Sequence, residues 1–139
     1  MNAELYDTGK KENAVKRLYG LLSLQKELIE RFGEENYNVF FFGSYITTAY
    51  KEGESDVDIA VYTEDFALYL QVASYLEAHF SFLGIQSDIF YIDTTMPAPI
   101  FCAPLKSKVQ FTDYYPEKLQ LFKEQCQREL SEVKRRIAV

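Results

Sequence analysis

The feature that most constrains the fold is a run of six residues, YNVFFF, from Tyr37 to Phe42. Aromatic and β-branched side chains at this density favour a strand buried in a core. Ahead of this run, apolar residues recur at helical spacing between Asn13 and Phe32, which predicts an amphipathic helix. Gly33 stands where a glycine in the left-handed conformation ends a helix. The first part of the chain therefore predicts a helix followed by a buried strand.

The rest of the chain alternates between strand-like and helix-like patterns. Further strands are predicted over Asp56–Tyr62 and Ile85–Asp93, and a helix is predicted from Thr63 to about Phe82. The remaining expectations are a short helix over Tyr45–Lys51, an irregular proline-rich segment over Met96–Pro104, a short fourth strand over Lys108–Thr112, and a last helix that begins at Pro116. This order predicts an α/β (α+β) fold, a small mixed β-sheet flanked by helices, in a single domain over residues 1–139.

Charge and cysteine content limit the classes of partner. The formal net charge of −6 argues against an extended nucleic acid, because binding its phosphates requires clustered Lys and Arg. A compact anion stays compatible when a metal supplies the positive charge. Cys102 and Cys126 lack zinc-site spacing, and neither a signal peptide nor a membrane-spanning apolar run is visible. We therefore expect a cytoplasmic protein with reduced thiols and no membrane partner.

Asp56 and Asp58 are the first candidate site residues, two positions apart in the second predicted strand. Residues two apart project from the same face of a strand, so both carboxylates would point together while Val57 and Ile59 face the core. Adjacent carboxylates repel each other, and a hard divalent cation such as Mg²⁺ accepts oxygen ligands of this kind. By itself, however, such a pair more often decorates a strand that begins near solvent.

Gly43 and Ser44 lie between the first strand and the predicted short helix. Free backbone N–H groups and the helix dipole at such a junction favour a phosphate. Gly43 allows a phosphate to approach the backbone, and Ser44 can cap the helix or donate to a phosphate oxygen. An ordinary turn explains the dipeptide alone. A phosphate cradle followed by a metal-binding carboxylate pair is what nucleotide chemistry requires.

Gly43-Ser44, followed after eleven residues by Asp56-Val57-Asp58, resembles the signature of the polymerase-β-like nucleotidyltransferase superfamily. The resemblance covers roughly residues 13–112 and is closest to the minimal nucleotidyltransferases. Two departures are visible. The family spacer is typically ten residues, and minimal members commonly carry GSRARG, where this chain has Tyr-Ile-Thr-Thr after Gly-Ser.

The same resemblance implies a third carboxylate on a later strand, between hydrophobic residues. Asp88, in Ser87-Asp88-Ile89-Phe90, matches that position best. Asp93 is the alternative, but it falls at the end of the predicted strand and on the opposite face. A turn or N-cap role is the more common one for an aspartate placed like Asp93.

What the resemblance implies is a magnesium-dependent enzyme that moves a nucleoside monophosphate, with AMP favoured, from a triphosphate such as ATP to a hydroxyl acceptor. Asp56, Asp58 and Asp88 would hold two Mg²⁺ ions, and Gly43 with Ser44 would hold the β- and γ-phosphates. Many minimal members are antitoxins paired with HEPN-domain toxins, so a HEPN-type toxin is a candidate partner. The alternatives are a non-catalytic antitoxin that sequesters its toxin, and a drug-modifying transferase, which would need a homo-oligomer surface.

Two features beside the predicted site are each compatible with more than one role. Tyr45 and Tyr50 could flank a base or an acceptor, although a chain with 11 tyrosines offers many such placements. The apolar segment Met96–Pro104 could be a lid, a partner surface, or packing beneath a loop. The sequence names neither the acceptor nor the preferred base.

Overall fold

The computed structural model describes residues 3–137, and residues 1, 2, 138 and 139 of the predicted domain lie outside the described residues. In the described part, no helix combines the length and the apolar character needed to cross a membrane. Single 3₁₀ turns cover Ser44–Ile46 and Ala98–Phe101. The other elements, in chain order, are α1 (Ala3–Phe32), β1 (Tyr37–Phe42), β2 (Val57–Thr63), α2 (Phe66–Phe82), β3 (Ser87–Tyr91), α3 (Cys102–Lys106) and α4 (Glu117–Ile137).

The central strand of the sheet is β2, in the order β1-β2-β3. It pairs antiparallel with β1, where Phe41 lies opposite Ile59, and parallel with β3, where Ile59 lies opposite Ile89. A parallel neighbour requires a crossover, and α2 supplies it. The predicted small mixed sheet flanked by helices is therefore confirmed.

Helices cover both faces of this sheet. On one face, Val57, Ile59 and Val61 of β2 are fully buried in a core that they share with α1 and α2. On the other face, Ala60 and Tyr62 pack against residues of α3 and α4. The alternation along β2 thus divides the core into two layers. Asp58 has the parity of Ala60 and Tyr62, so it belongs to the face that α3 and α4 cover in part.

Several boundaries differ from the prediction by a few residues. β1 has the predicted bounds, and Gly33 ends α1 with a φ of 84°. α1 begins at Ala3 rather than Asn13, β2 begins one residue later than predicted, and β3 is shorter at both ends. The helix expected from Thr63 begins at Phe66, because the Asp65 side chain accepts hydrogen bonds from the N–H groups of the first turn.

The predicted helix over Tyr45–Lys51 is wrong, because only the 3₁₀ turn Ser44–Ile46 forms there. In a helix, the Tyr45 carbonyl would accept the N–H of Ala49. Here the Arg17 guanidinium donates to that carbonyl at 2.9 Å, and the Ala49 N–H donates to the Thr47 hydroxyl at 3.1 Å. A contact from α1 thus replaces the local helix.

The predicted irregular segment Met96–Pro104 is wrong in part. It contains the 3₁₀ turn Ala98–Phe101 and the beginning of α3. Pro99 and Pro104 fall within the first turns of these short helices. The N–H groups of a first turn have no intrahelical acceptor, so proline loses nothing there.

The expectation of reduced thiols is also wrong for this structure. Cys102 of α3 and Cys126 of α4 are joined in a disulfide, with their Cα atoms 5.8 Å apart. This Cα separation is one that disulfides commonly span. The two residues meet because α3 packs on α4, a contact between positions 24 residues apart that no local spacing reveals.

The predicted fourth strand over Lys108–Thr112 does not form as a strand. The segment follows β1 through one isolated antiparallel bridge, between Phe40 and Gln110. The Phe41 N–H donates to the Val109 carbonyl at 3.0 Å. These contacts make the segment a partial neighbour of β1 rather than a further member of the sheet.

Asn38 completes the attachment of this segment to β1. Its buried side-chain amide donates to Gln110 Oε1 at 2.9 Å and to the Tyr114 carbonyl at 3.1 Å. Its Oδ1 accepts the Thr112 N–H at 3.0 Å. A single amide therefore satisfies backbone groups that strand pairing would otherwise satisfy.

We expect Asn38→Ala to lower the free energy of unfolding by about 2–4 kcal/mol, because the Thr112 N–H and the Tyr114 carbonyl lose their partner. Gln110→Ala is the matched control. It removes one of the same hydrogen bonds at an exposed position and should cost less than about 1 kcal/mol. Urea unfolding of both variants measures the difference, and equal losses would show that Asn38 does not hold the segment.

Candidate active site

Asp58 and Asp88 lie directly opposite each other in the parallel register of β2 and β3. Opposed residues of neighbouring strands project from the same face, so the two carboxylates share the face of Ala60. Both side chains are partly buried. The structure thus brings together two residues that are 30 positions apart in the sequence, while their role as metal ligands stays a prediction.

Asp56 is placed differently from the expectation. β2 begins at Val57, so Asp56 lies one residue before the strand in which it was predicted. The predicted start of the strand is corrected, and the shared face of Asp56 and Asp58 stays a prediction. Asp56 nevertheless lies near enough for its charge to act on Asp58, and it is partly buried like the other two carboxylates.

Burial raises the pKa of the Asp58 carboxyl above its usual value, and the charges of Asp88 and then of Asp56 raise it further. All three effects disfavour the ionised form of Asp58. A divalent cation has the opposite effect, because it favours ionised carboxylates as oxygen ligands. The donor chemistry of this trio therefore fits Mg²⁺.

The carboxylates do not form a ready-made cage. Within residues 3–137, no three acidic, histidine or cysteine side chains are gathered closely enough to hold a metal ion. Like charges favour separation when no cation lies between them. Occupancy by Mg²⁺ would therefore require side-chain movements that bring Asp56, Asp58 and Asp88 closer together.

Gly43 brings the turn after β1 against Asp58. Its φ of 76° lies in the left-handed region that glycine adopts at little cost. A Cβ added to Gly43 would collide with Oδ2 of Asp58 and would lie 3.2 Å from its Cγ. The backbone angle favours glycine, and a side chain at this position would force Asp58 to shift, so the Gly-Ser turn lies directly against Asp58.

Ser44 begins the 3₁₀ turn, and its carbonyl accepts both the N–H and the hydroxyl of Thr47 at 2.9 Å. The turn has only three residues, so it lacks the dipole of the longer helix that was expected to attract a phosphate. Phosphate binding at Gly43 and Ser44 would depend on the local N–H groups alone.

Arg17 of α1 supports this turn from the other side. Its Nε donates to the Tyr45 carbonyl at 2.9 Å, and its Nη2 donates to the Thr47 carbonyl at 2.7 Å. Its guanidinium also lies 4.7 Å from the centre of the Tyr50 ring. Sequence analysis missed Arg17, because nothing in the pattern of α1 connects it with a turn 28 residues later.

The structure separates the roles of the two tyrosines beside the site. Tyr45 is buried in the core and packs edge-on against Phe80, with ring centroids 5.7 Å apart. It is therefore unavailable to flank a base or an acceptor. Tyr50 is partly buried and packs against Tyr45 and Arg17.

Asp93 lies beyond β3 and takes no part in the ladder. One carboxylate oxygen accepts the Thr95 hydroxyl at 2.6 Å and the Thr95 N–H at 2.9 Å. The hydroxyl and then the N–H lower the pKa of Asp93. This arrangement is the turn role that the sequence favoured for Asp93, and it leaves Asp88 as the carboxylate beside Asp58.

Comparison with known proteins identifies a family for most of this chain. A family model described as a nucleotidyltransferase domain matches residues 22–117, which is more than half of the chain and includes every candidate site residue. Two solved chains match, and one belongs to a mutant of the toxin–antitoxin MntA–HpeT. That chain is 16% identical, with a TM-score of 0.48, over 82% of this chain and 89% of its own length. No curated protein matches.

We expect Gly43→Ala to lower the free energy of unfolding by about 2–4 kcal/mol, through backbone strain and the collision with Asp58. Gly53→Ala is the matched control, since Gly53 also has a positive φ, 78°, but nothing lies within 4 Å of its added Cβ. It should lose only the strain, about 1 kcal/mol. In a double-mutant cycle followed by chemical denaturation, Gly43→Ala should cost less in an Asp58→Ala background than in the wild type. Equal losses for the two glycines would contradict the close approach.

A second prediction concerns pH in metal-free protein. A raised pKa means that ionisation of Asp58 costs stability above that pKa, and that the cost vanishes below the unfolded value of 3.8. Asp58→Asn should therefore raise Tm near neutral pH and lose this advantage in acid. Asp93→Asn should behave oppositely, because its lowered pKa contributes stability above the unfolded value and loses it in acid. Thermal scans in EDTA test both, and a lower neutral Tm for Asp58→Asn would contradict the first.

Proposed function

This chain belongs to the nucleotidyltransferase domain family, and from that premise we propose that it is a magnesium-dependent enzyme. It transfers a nucleoside monophosphate, AMP in the first instance, from a nucleoside triphosphate to a hydroxyl acceptor. The observation that carries this proposal is the pairing of Asp58 with Asp88 on neighbouring parallel strands, against the turn at Gly43. Two carboxylates at opposed positions disfavour each other's ionisation, and a bound cation would remove that cost.

In this proposal, Asp56, Asp58 and Asp88 hold two Mg²⁺ ions. The ions, when bound, neutralise charge on the leaving pyrophosphate and make the acceptor hydroxyl more acidic. The raised pKa of Asp58 supports the assignment, since a carboxylate that ionises reluctantly gains most from a cation beside it.

The residues of the chain have separate tasks in the transfer. Gly43 and Ser44 offer backbone N–H groups to the β- and γ-phosphates, and Arg17 keeps their turn in place. Asp88 accepts the proton of the acceptor hydroxyl. The acceptor oxygen bonds to the α-phosphorus as the bond from that phosphorus to the β-phosphate oxygen breaks, and pyrophosphate leaves.

We further propose that the acceptor hydroxyl belongs to a partner protein. A HEPN-type toxin is the partner that the sequence resemblance implies. A non-catalytic antitoxin, which binds such a toxin through its surface alone, is the competing function. The two differ in one property that can be measured without the partner, namely magnesium-dependent binding of a nucleotide.

Thermal shift with ATP, with and without Mg²⁺, tests the binding step. At a hundredfold excess over Kd, ATP should stabilise the protein by about 2.7 kcal/mol when Mg²⁺ is present. Asp58→Asn should lose this magnesium-dependent shift, and Asp93→Asn, an aspartate outside the site, should retain it. The absence of a magnesium-dependent shift with any of the four nucleoside triphosphates would refute the enzyme and favour the sequestering antitoxin.

Transfer itself is tested by labelling an acceptor protein with radiolabelled ATP. Loss of Asp88, the proposed base, should lower the rate by ~10²–10⁴-fold in Asp88→Ala. Asp93→Ala should retain the wild-type rate. Activity lost in Asp93→Ala and kept in Asp88→Ala would show that the third carboxylate is misassigned.

A further inference from the structure

A pocket of about 210 Å³ lies on the carboxylate face of the sheet and has Asp58 in its wall. Phe42 pairs opposite Asp58 in β1, and Phe90 lies two residues beyond Asp88 in β3. Their rings line the pocket and contact each other, with centroids 6.2 Å apart. The rest of the wall comes from the segment after β3, through Ile100, Phe101, Ala103 and Pro104.

Packing alone does not account for these side chains. Phe90 is 48% exposed and Ile100 is 61% exposed, although both lie beside the acidic site. Single exposed apolar residues are ordinary on a protein surface. Here they line one concavity that continues into the candidate active site, which is the form that a binding subsite takes.

The volume of the pocket and the side chains that line it limit what it can bind. At about 210 Å³ it is smaller than the ~300–1,000 Å³ of sites that enclose drug-sized ligands, so it suits one ring system rather than a whole nucleotide. Apart from Asp58, no side chain that lines it carries a hydrogen-bonding group. The ligand portion that fits is therefore small and apolar, and a flat ring can contact Phe42 and Phe90 through its faces.

We propose that this pocket holds the nucleobase of the substrate nucleotide, stacked against Phe42 and Phe90. This inference rests on the proposed function. A nucleoside triphosphate has one flat part, the base, whose ring faces are apolar, and the ribose links that base to the phosphates that the carboxylates and the Gly-Ser turn would bind. Asp58 belongs to both the pocket and the carboxylate site, so one nucleotide can occupy the two together.

A consequence follows for base selectivity. Proteins distinguish bases by hydrogen bonds to their edges, whereas stacking accepts every base because each has a π-face. The side chains of this pocket other than Asp58 offer no such hydrogen bond. ATP and GTP should therefore bind with Kd values within about tenfold of each other, the most that one net hydrogen bond would contribute.

The test compares Mg²⁺-ATP with Mg²⁺-tripolyphosphate, which has the phosphates without the base, by calorimetric titration of the full chain. Ala103→Leu enlarges an exposed side chain of the pocket wall and should weaken ATP binding about tenfold or more, as loss of base stacking does. Phe90→Ala removes one stacking ring and should have the same effect. Tripolyphosphate binding should be unchanged in both variants.

Ala78→Leu, at an exposed position of α2 outside the pocket, is the matched control and should bind both ligands like the wild type.

Each other outcome has a distinct meaning. Unchanged ATP affinity in both variants, or equal weakening of ATP and tripolyphosphate, would overturn the base pocket. Unchanged ATP affinity with loss of transfer would assign the pocket to the acceptor instead, and would also overturn the proposal. A wild-type protein that binds tripolyphosphate as tightly as ATP would overturn it while leaving the metal site intact. Failure of the wild type to bind either ligand would refute the proposed function itself.

Discussion

The parallel pairing of β2 with β3 is the constraint on which the rest of the site depends, since it sets Asp58 directly opposite Asp88. The charge of Asp88 opposes ionisation of Asp58, so this pairing costs stability when both carboxylates are charged. The alternate residues of the same strand, Val57, Ile59 and Val61, are fully buried in the core. Burial of each such side chain stabilises the fold by about 1.5–3 kcal/mol, so the strand holds its register in spite of the repulsion. The core face of β2 thus keeps the acidic face in place.

A second constraint is the close approach of the Gly-Ser turn to that acidic face. Gly43 leaves no room for a side chain beside Asp58, and Arg17 holds the following carbonyl groups from α1. The minimal nucleotidyltransferases that this sequence resembles commonly carry an arginine within the turn, and this chain carries none there. Instead, Arg17 of α1 donates hydrogen bonds to backbone carbonyl groups of this turn. Arg17 supports the shape of the turn, and contact with phosphate by the N–H groups of Gly43 and Ser44 is a proposal.

Much of the fold was predictable where the signal is local. The aromatic and β-branched residues of Tyr37–Phe42 identified β1 with its bounds, and Gly33 marked the end of α1. The expected helix over Tyr45–Lys51 failed, because its carbonyl groups bond to a side chain from a distant helix. The fourth strand failed for a related reason, since the side chain of Asn38 bonds to backbone groups that a ladder would pair. Helix and strand propensities depend on the residues of one segment. They contain no information about a distant side chain that competes for the hydrogen bonds of that segment.

For the candidate site, the sequence by itself determined the residue types: a Gly-Ser turn, the Asp-Val-Asp motif, and Asp88 in a hydrophobic strand. Alternation suggested a shared face for the Asp-Val-Asp pair, and the family resemblance pointed to Asp88 and to the Gly-Ser turn. Only the tertiary structure decided that Asp58 lies opposite Asp88, that Asp56 falls outside the ladder, and that an apolar pocket adjoins the carboxylates. The physical reason is that a one-residue change in strand register reverses the face of every side chain. That register is selected by packing between segments far apart in the sequence, which no local pattern encodes.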